Sequence, residues 1–333
     1  NFVLEGGIDQ LNELKDFFDK HNIKSEQLLK KTSVRGFDYQ KQKNTSTTFK
    51  KNALVIPTNQ TKGKIAHVLL EPKTKLSDSL TYDITAWSLP YAYGLNANAT
   101  VESLNTVPFE VKKIKIDKIN ADAYGYGFTY KSFSDSKFLA ALLKEGLGVR
   151  INIVPLTNGG FKWEEGSLFV LKGDNFKNKN FINILEKLSK EHNRKIYPIQ
   201  TGYSDAGPDL GADELKLIKA PKIAIFKNDF TSPYRYGEVW HFFEKELRYP
   251  LMQVDQKFLE KILVDIDILI IPGGSYGKWS NSKSEEKIAK WLNEGGKIIA
   301  LSSALDLFAN TDNFSLKKKK YKNEDNLMLP YSK

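Results

Sequence analysis

The sequence contains no cysteine and very few histidines. Among its 333 residues there are no Cys, four His and two Met. Without cysteine the chain forms no disulfide, offers no thiolate ligand for zinc and carries no cysteine nucleophile. No apolar run reaches the roughly 18 residues that a membrane-spanning helix needs. We therefore expect no membrane span, while the absence of cysteine leaves the cellular compartment open.

Basic residues outnumber acidic residues, but they are dispersed along the sequence and not gathered in one segment. The formal net charge is +10, from 50 basic and 40 acidic residues. Most lysines alternate with acids, which is typical of a solvated surface. The one basic run, Lys317 to Lys320, lies in a polar stretch, and we interpret it as a solvated loop. This distribution predicts no nucleic-acid partner.

Two stretches of the chain share one order of predicted elements. Phe2-Val3-Leu4 predicts a strand, and a helix follows from about Ile8 to His21. Tyr126 to Tyr130 predicts a second such strand, again followed by a helix, from Asp135 to Glu145. The repetition indicates a duplicated strand-helix-strand-strand-helix unit.

The duplication can be aligned residue by residue. Phe49 matches Trp163, and Asn52 matches Gly166; the apolar triplet Leu54-Val55-Ile56 then matches Leu168-Phe169-Val170. Because strands alternate with helices, we expect an α/β fold with mainly parallel sheets in both units.

The last third of the chain predicts a doubly wound domain, in which strands and helices alternate from Lys222 onward. We therefore predict three domains. These are a first α/β unit at 1–115 that includes an aromatic-rich segment at 70–95, a related unit at 116–219, and the doubly wound domain at 220–333.

In the third domain a predicted strand ends at Pro272-Gly273-Gly274, and a second strand runs through Lys297-Ile-Ile-Ala-Leu301 into Ser302-Ser303-Ala304. This pattern resembles class I glutamine amidotransferases. In that family the Gly-Gly turn helps to form an oxyanion hole and the second strand leads to the catalytic cysteine. The resemblance places Ser302 at the cysteine position and therefore implies a flavodoxin-like domain that has lost its nucleophile.

A wider resemblance covers most of the chain, from about Gly36 to Ala309. It rests on Leu70-Glu71-Pro72, Leu76 to Ser79, Tyr82 to Gly94, Thr201-Gly202, Gly207 to Gly211 and Gly237 to Phe243. These segments resemble the region that follows the catalytic domain in long bacterial zinc carboxypeptidases of the carboxypeptidase A type.

That resemblance implies a function for the whole protein and a different role for this chain. The full-length protein would remove C-terminal residues from peptides in the periplasm or outside the cell, with zinc in a domain upstream of Asn1. This chain would be a non-catalytic accessory region without a cofactor of its own. Its partners would be the upstream peptidase domain and peptide substrate. Asn1 opens directly on a strand-like run, so we expect the chain to continue a longer protein.

One short motif imitates a zinc site. His241-Phe-Phe-Glu244 spells His-x-x-Glu, but no histidine follows it in the sequence. Catalytic zinc needs three protein ligands and one open position. We therefore predict no metal site in this chain.

Two alternative functions remain for the last domain. In the first, Ser302 is a hydrolase nucleophile with His241 as its base and Gly273-Gly274 as oxyanion donors. Ala300 and Ala304 replace the elbow glycines, however, and a serine that follows a strand also serves as a helix cap. In the second, Asp229, Gly273, Gly274, Ser302 and Ser303 gather at the carboxyl ends of the strands and bind a peptide or a glycan.

Overall fold

The computed structural model describes residues 1–73, 88–111, 115–276, 282–311 and 314–319. These residues divide into two compact units, 1–111 and 115–319. Several segments used above lie outside the described residues, namely Leu76 to Ser79, Tyr82 to Trp87 and Lys320.

The described part of the first unit contains one antiparallel sheet of seven strands. Its elements are β1 (Phe2–Glu5), α1 (Ile8–Lys20), β2 (Glu26–Leu28), β3 (Thr32–Asp38), β4 (Lys43–Phe49), β5 (Leu54–Ile56), α2 (Gly63–Leu70), α3 (Leu89–Ala92), β6 (Asn96–Ala99) and β7 (Thr106–Pro108). The strand order is β4-β3-β6-β1-β5-β2-β7, and every neighbouring pair is antiparallel.

Helix α1 covers one face of this sheet because its apolar residues recur at helical spacing. Leu14 and Phe18 are fully buried and join Phe2 and Leu4 of β1 in one core. Each such side chain contributes roughly 2 kcal/mol by leaving water. Val3 points to the opposite face and belongs to a second, smaller core.

The second unit begins with a five-stranded sheet and a separate hairpin. The elements are β8 (Gly125–Phe128), α4 (Phe133–Lys144), β9 (Arg150–Asn152), β10 (Leu156–Asn158), β11 (Phe161–Trp163), β12 (Leu168–Leu171), α5 (Lys172–Asn175), α6 (Phe181–Glu191), β13 (Tyr197–Ile199) and β14 (Leu215–Leu217). The sheet order is β13-β8-β12-β9-β14, again antiparallel throughout, and β10 pairs with β11.

The two sheets share one topology. The run β6-β1-β5-β2-β7 of the first corresponds strand for strand to β13-β8-β12-β9-β14 of the second. Asn52 and Gly166 both have a positive φ, of 67° and 84°. Their N–H groups each donate a 2.9 Å hydrogen bond, to the carbonyls of Leu28 and Asn152 respectively. These equivalences agree with the sequence alignment of the two units.

The expectation of mainly parallel sheets was wrong for both of these units. Strands β1 and β2 follow each other around helix α1, but they are not neighbours. Strand β5 lies between them and is antiparallel to both. In the second unit, β12 separates β8 from β9 in the same way. The predicted alternation of strands and helices was correct. In each unit, however, a strand from later in the chain inserts between the two strands that the helix connects.

The second unit also contains a parallel sheet. Its elements are β15 (Ile223–Lys227), α7 (Pro233–His241), β16 (Met252–Asp255), α8 (Leu259–Ile262), β17 (Ile268–Ile271), α9 (Ser282–Asn293) and β18 (Lys297–Ala300). The order among the described strands is β16-β15-β17-β18, with every pair parallel. The parallel sheet was predicted correctly; a flavodoxin-like, doubly wound arrangement of the helices around it stays a prediction.

One helix of this region departs from regular α geometry. The sequence predicts a helix from about Glu238 to Leu247, whereas α7 ends at His241 and a π-helix runs from Phe242 to Leu247. Arg248 then ends the π-helix in the left-handed conformation, with φ of 55°. Among the described residues, none of the helices has the length and apolar character needed to cross a bilayer.

Candidate functional site

The loops at the carboxyl edge of the parallel sheet are tied to one another. Ser232 donates its N–H to the carbonyl of Gly273, at 3.1 Å, and thereby joins the start of α7 to the turn after β17. The Tyr276 hydroxyl donates to the carbonyl of Pro272, at 2.8 Å, and lies 3.1 Å from the Thr231 hydroxyl. In parallel sheets this edge is where ligands collect, so these loops form the candidate site.

Ser303 is hydrogen-bonded to the Gly273-Gly274 turn, which the amidotransferase resemblance assigns to an oxyanion hole. Its hydroxyl accepts a hydrogen bond from the N–H of Gly274, at 3.0 Å, and donates one to the carbonyl of Gly274, at 2.7 Å. A Cβ atom on Gly274 would lie only 2.5 Å from the carbonyl oxygen of Phe230. The site therefore accepts only glycine here, and the N–H of that glycine is already bonded.

Ser302 lies beside this turn at the end of β18. A Cβ atom at Gly273 would be 3.3 Å from the Cβ of Ser302 and 3.4 Å from the Cγ of Arg235. Ser302 is exposed, and its φ is 53°. A non-glycine residue with positive φ is uncommon, and a nucleophile on a sharp strand-to-helix turn is one place where such strain occurs.

The simple interpretation of Ser302 as a helix cap was wrong. Ser302 is the first residue of a 3₁₀ segment that ends at Leu307, and the capping position belongs to Leu301, which makes no side-chain capping bond. The capping position after β18 is therefore one residue earlier, at Leu301, than an interpretation of Ser302 as the cap requires. Of the two serines, Ser303 is the one that makes a structural hydrogen bond.

His241 lies at the far end of helix α7 from the candidate site. The helix begins next to Gly273, through Ser232, and His241 is its last residue. Eight residue steps place His241 about 12 Å further along the helix axis. His241 is exposed, and among the described residues no hydrogen bond joins it to Ser302. The structure thus brings Ser302 next to Gly273 but does not bring the proposed base to it.

Asp229 lies in the loop after β15 and is exposed. Its neighbour Asn228 is fixed by two hydrogen bonds. The N–H of Asn228 donates to the Thr231 hydroxyl, and its side-chain amide donates to the side chain of Gln256, just after β16, at 2.9 Å. Two aromatic side chains stand out of the same edge, Phe230 at 63% and Tyr234 at 84% of full exposure. Asp229 is therefore accessible to a ligand, in the same loop region as these two exposed rings.

The His-x-x-Glu motif does not fit a metal. Lys245 lies 2.9 Å from the carboxylate of Glu244. Hydrogen bonds from Lys245 and then Trp240 lower the pKa of Glu244. The carboxylate is thus occupied by donors of the protein, and the described residues contain no cluster of three or more His, Cys, Asp or Glu side chains around it.

Arg235 also lies at the candidate site, within the segment Ser232 to Tyr236 that the sequence predicts at the carboxyl edge of the sheet. Its side chain lies against Gly273 and is paired with Glu238, with nitrogen–oxygen distances of 3.2 and 3.3 Å. The sequence indicates this position, because Ser232 followed by Pro233 is a typical helix start and Arg235 is the third residue of the helix that begins at Pro233. That start places the third residue over the sheet edge.

Comparison with protein-family models, with curated proteins and with solved structures finds no match to this chain.

Proposed function

We propose that this chain is a non-catalytic accessory region of a zinc-carboxypeptidase-like protein. The family part of the proposal rests on the sequence resemblance alone. On that basis the parent protein removes C-terminal residues from peptides in the periplasm or outside the cell, and its zinc lies in an upstream domain. The partner of this chain is then that peptidase domain.

The observation that carries the non-catalytic part is the bonding of Ser303 to Gly274. An oxyanion hole needs free N–H groups aimed at the position of the developing charge. The N–H of Gly274 is instead bonded to the Ser303 hydroxyl, at 3.0 Å. His241 lies about 12 Å along α7 from the site, so it is not within hydrogen-bond reach of Ser302 as a base. A hydroxyl without an activating base is a poor nucleophile.

A fluorophosphonate probe tests the non-catalytic part. We expect no covalent labelling of the chain and no ester hydrolysis beyond that of Ser302→Ala. Ser303→Ala serves as the matched control, because it changes the neighbouring hydroxyl and leaves Ser302 in place. Labelling that disappears only in Ser302→Ala would establish the serine-hydrolase alternative with Ser302 as nucleophile, and His241→Gln would then show whether His241 is its base.

The coding sequence upstream of Asn1 tests the family part. We expect it to encode His-x-x-Glu followed by a more distant histidine, which together supply the three ligands of a catalytic zinc. An upstream sequence without such a set would contradict the link to carboxypeptidases and leave the non-catalytic proposal standing.

We also propose that the parallel sheet is the centre of a flavodoxin-like domain related to glutamine amidotransferases. The order β16-β15-β17-β18 supports this, since it reproduces the first four strands of the 2-1-3-4-5 order of flavodoxin-like sheets. An experimental structure with helices on only one face of this sheet would contradict it.

A peptide- or glycan-binding module is the second candidate function. Exposed aromatic rings stack on sugars and apolar side chains. Phe230 and Tyr234 are exposed, and the carbonyl of Phe230 lies close to Gly274. Titration with a chitooligosaccharide and with a tripeptide would test it. Saturable binding that Tyr234→Ala weakens and that exposed Tyr203→Ala leaves unchanged would support this candidate.

A further inference from the structure

A pocket next to the π-helix lies apart from the carboxyl edge of the parallel sheet. It has a volume of about 370 Å³, and its walls include Lys144, Trp240, Phe243, Glu244, Arg248 and Tyr249. Sites for small molecules are mostly apolar pockets of roughly 300–1,000 Å³ with a few polar groups. The size and composition of this pocket therefore fit one small organic ligand.

The walls of the pocket are held in place by the surrounding structure. Tyr249 donates its hydroxyl to the carbonyl of Pro221, at 2.9 Å, and its N–H to the carbonyl of Phe243, at 3.2 Å. Phe243 is buried, and its neighbour Phe242 stacks on Phe133 of α4 with ring centroids 5.6 Å apart. The aromatic surface is therefore largely formed before any ligand binds.

The backbone at the pocket is unusual in two adjoining places. The π-helix from Phe242 to Leu247 replaces regular α turns, and Arg248 follows it with φ of 55°. π-helical turns are rare and occur often at functional sites. A left-handed conformation is unfavourable for arginine, so it persists only where the surroundings impose it. Here it carries the Arg248 side chain to the pocket wall.

Two cations of the pocket have no carboxylate partner among the residues that the structure describes. Lys144 and Arg248 are exposed, and within the described parts of the chain neither forms an ion pair or a side-chain hydrogen bond. Glu244, the acid of the pocket, is held by Lys245 at 2.9 Å. The pocket therefore has an excess of positive charge next to aromatic rings.

Charged groups near the pocket also act on His192. Burial lowers the pKa of the nearby His192, and the positive charges of Arg194, Arg248 and Lys137 lower it further against the opposing effect of Glu191. Lys137 itself is paired with Glu246, at 3.1 Å. Arg194 is likewise paired with Asp135, at 3.0 Å. Lys144 and Arg248 are therefore the cations that an anionic group at the pocket would meet.

We propose that this pocket binds an aromatic carboxylate, with the ring against Trp240, Phe243 and Tyr249 and the carboxylate between Lys144 and Arg248. A planar guanidinium and an ammonium group are the usual partners of a carboxylate. The aromatic walls supply the apolar contact and favour offset or edge-on ring packing.

Three probes separate the ring from the charge. They are N-acetylphenylalanine, its neutral amide and acetate, and each is titrated into the full chain while the Trp240 indole signal is followed by NMR. The chain has five tryptophans, and Trp240→Phe identifies the signal. We expect saturable binding of N-acetylphenylalanine only. Equal binding of the amide, equal binding of acetate, or no saturable binding would overturn the proposal.

Two variants test the cations. Arg248→Gly removes the guanidinium and suits the left-handed backbone, so it should fold at least as well as the original chain. Lys144→Gln removes the ammonium from an exposed helix end. We expect each to weaken N-acetylphenylalanine binding about fivefold, the upper range of a solvent-exposed charge contact.

A matched control separates a local from a general charge effect. Lys187→Gln removes an exposed lysine of α6 that pairs with Glu191, and it should leave the affinity unchanged. Thermal unfolding of each variant confirms that it is folded. Unchanged affinity in both Arg248→Gly and Lys144→Gln, or an equal loss in Lys187→Gln, would overturn the assignment of the carboxylate to these two cations.

Discussion

The Ser303 hydroxyl and the Gly274 backbone are joined by two hydrogen bonds through one side-chain oxygen. The oxygen accepts from the Gly274 N–H, at 3.0 Å, and donates to the Gly274 carbonyl, at 2.7 Å. The hydroxyl thus links the turn after β17 to the segment that begins at Ser302, after β18. A turn closed in this way keeps its shape without a ligand.

Replacing Ser303 by alanine should destabilise the chain by about 1 kcal/mol, the usual net value of a lost hydrogen bond. Urea denaturation followed by tryptophan fluorescence measures the change. Ser302→Ala is the control and should stay within about 0.5 kcal/mol, because the Ser302 hydroxyl forms no hydrogen bond within the described parts of the chain. Equal losses in the two variants would contradict the role assigned to Ser303.

Replacing Ser302 by glycine should stabilise the chain by roughly 0.5–1 kcal/mol, since a non-glycine residue at positive φ is strained. The φ of Ser302 is 53°. The same denaturation experiment measures the gain, with Ser302→Ala as the comparison that keeps a Cβ atom. A loss of stability in Ser302→Gly would show that its backbone is not strained.

Gly166 offers a test of the correspondence between the two antiparallel sheets. Its φ is 84°, and Asn52 has 67° at the equivalent position. Alanine there should cost about 1 kcal/mol, whereas asparagine tolerates the left-handed region better. We therefore expect Gly166→Asn to be the milder change in thermal unfolding. An equal or larger loss in Gly166→Asn would contradict the equivalence.

A buried ion pair in the second unit makes a larger prediction. Arg194 donates to the carboxylate of Asp135 at 3.0 Å, and both side chains are less than a tenth exposed. Removing one partner leaves the other charge buried, so Arg194→Met should cost about 3 kcal/mol or more. The double variant Arg194→Met, Asp135→Leu should recover part of that loss. A double variant as unstable as the sum of both single changes would contradict this account.

The stability of the second unit should fall in mildly acidic solution through His192. Burial is the main cause of its lowered pKa, and nearby cations add to it. Below the unfolded value of about 6.5, the unfolded chain binds a proton that the folded chain takes up only at lower pH. Stability is therefore present above this value and is lost as the pH falls through the folded pKa.

His192→Gln should flatten this pH dependence of the urea midpoint between about pH 7.5 and 5. His241→Gln, at an exposed position, is the control for removal of a histidine from the same unit. A slope that persists in His192→Gln would place its origin in another group.

Local order along the chain was largely predictable from the sequence. The helix expected from about Ile8 to His21 is α1, Ile8–Lys20, because Leu11, Leu14 and Phe18 recur at helical spacing. The alignment of Asn52 with Gly166 was also accessible, since both residue types accept a left-handed backbone. These features depend on neighbours in the sequence.

Features that depend on distant partners were not predictable in the same way. Nothing within β1 or β2 indicates that β5 inserts between them, because strand direction is set by pairing and not by composition. The hairpin of β3 and β4 is equally hard to recognise, because the polar sequence of Lys43–Phe49 is also typical of a loop. The separation of His241 from Ser302 likewise depends on the course of α7 past the sheet edge.

The insertion of β5 between β1 and β2 also has a kinetic consequence. Val3 pairs with Val55, about fifty residues away, while the helix between β1 and β2 requires only local contacts. Closing so long a loop is slow compared with forming a helix. We therefore expect the apolar strand β1 to pair with β5 later in folding than α1 forms, and β8 to pair with β12 with the same delay. Until then the backbone N–H and C=O groups of β1 and β8 are unpaired along one edge and can pair with non-native strands. Because the unit is duplicated, the chain has two such strands.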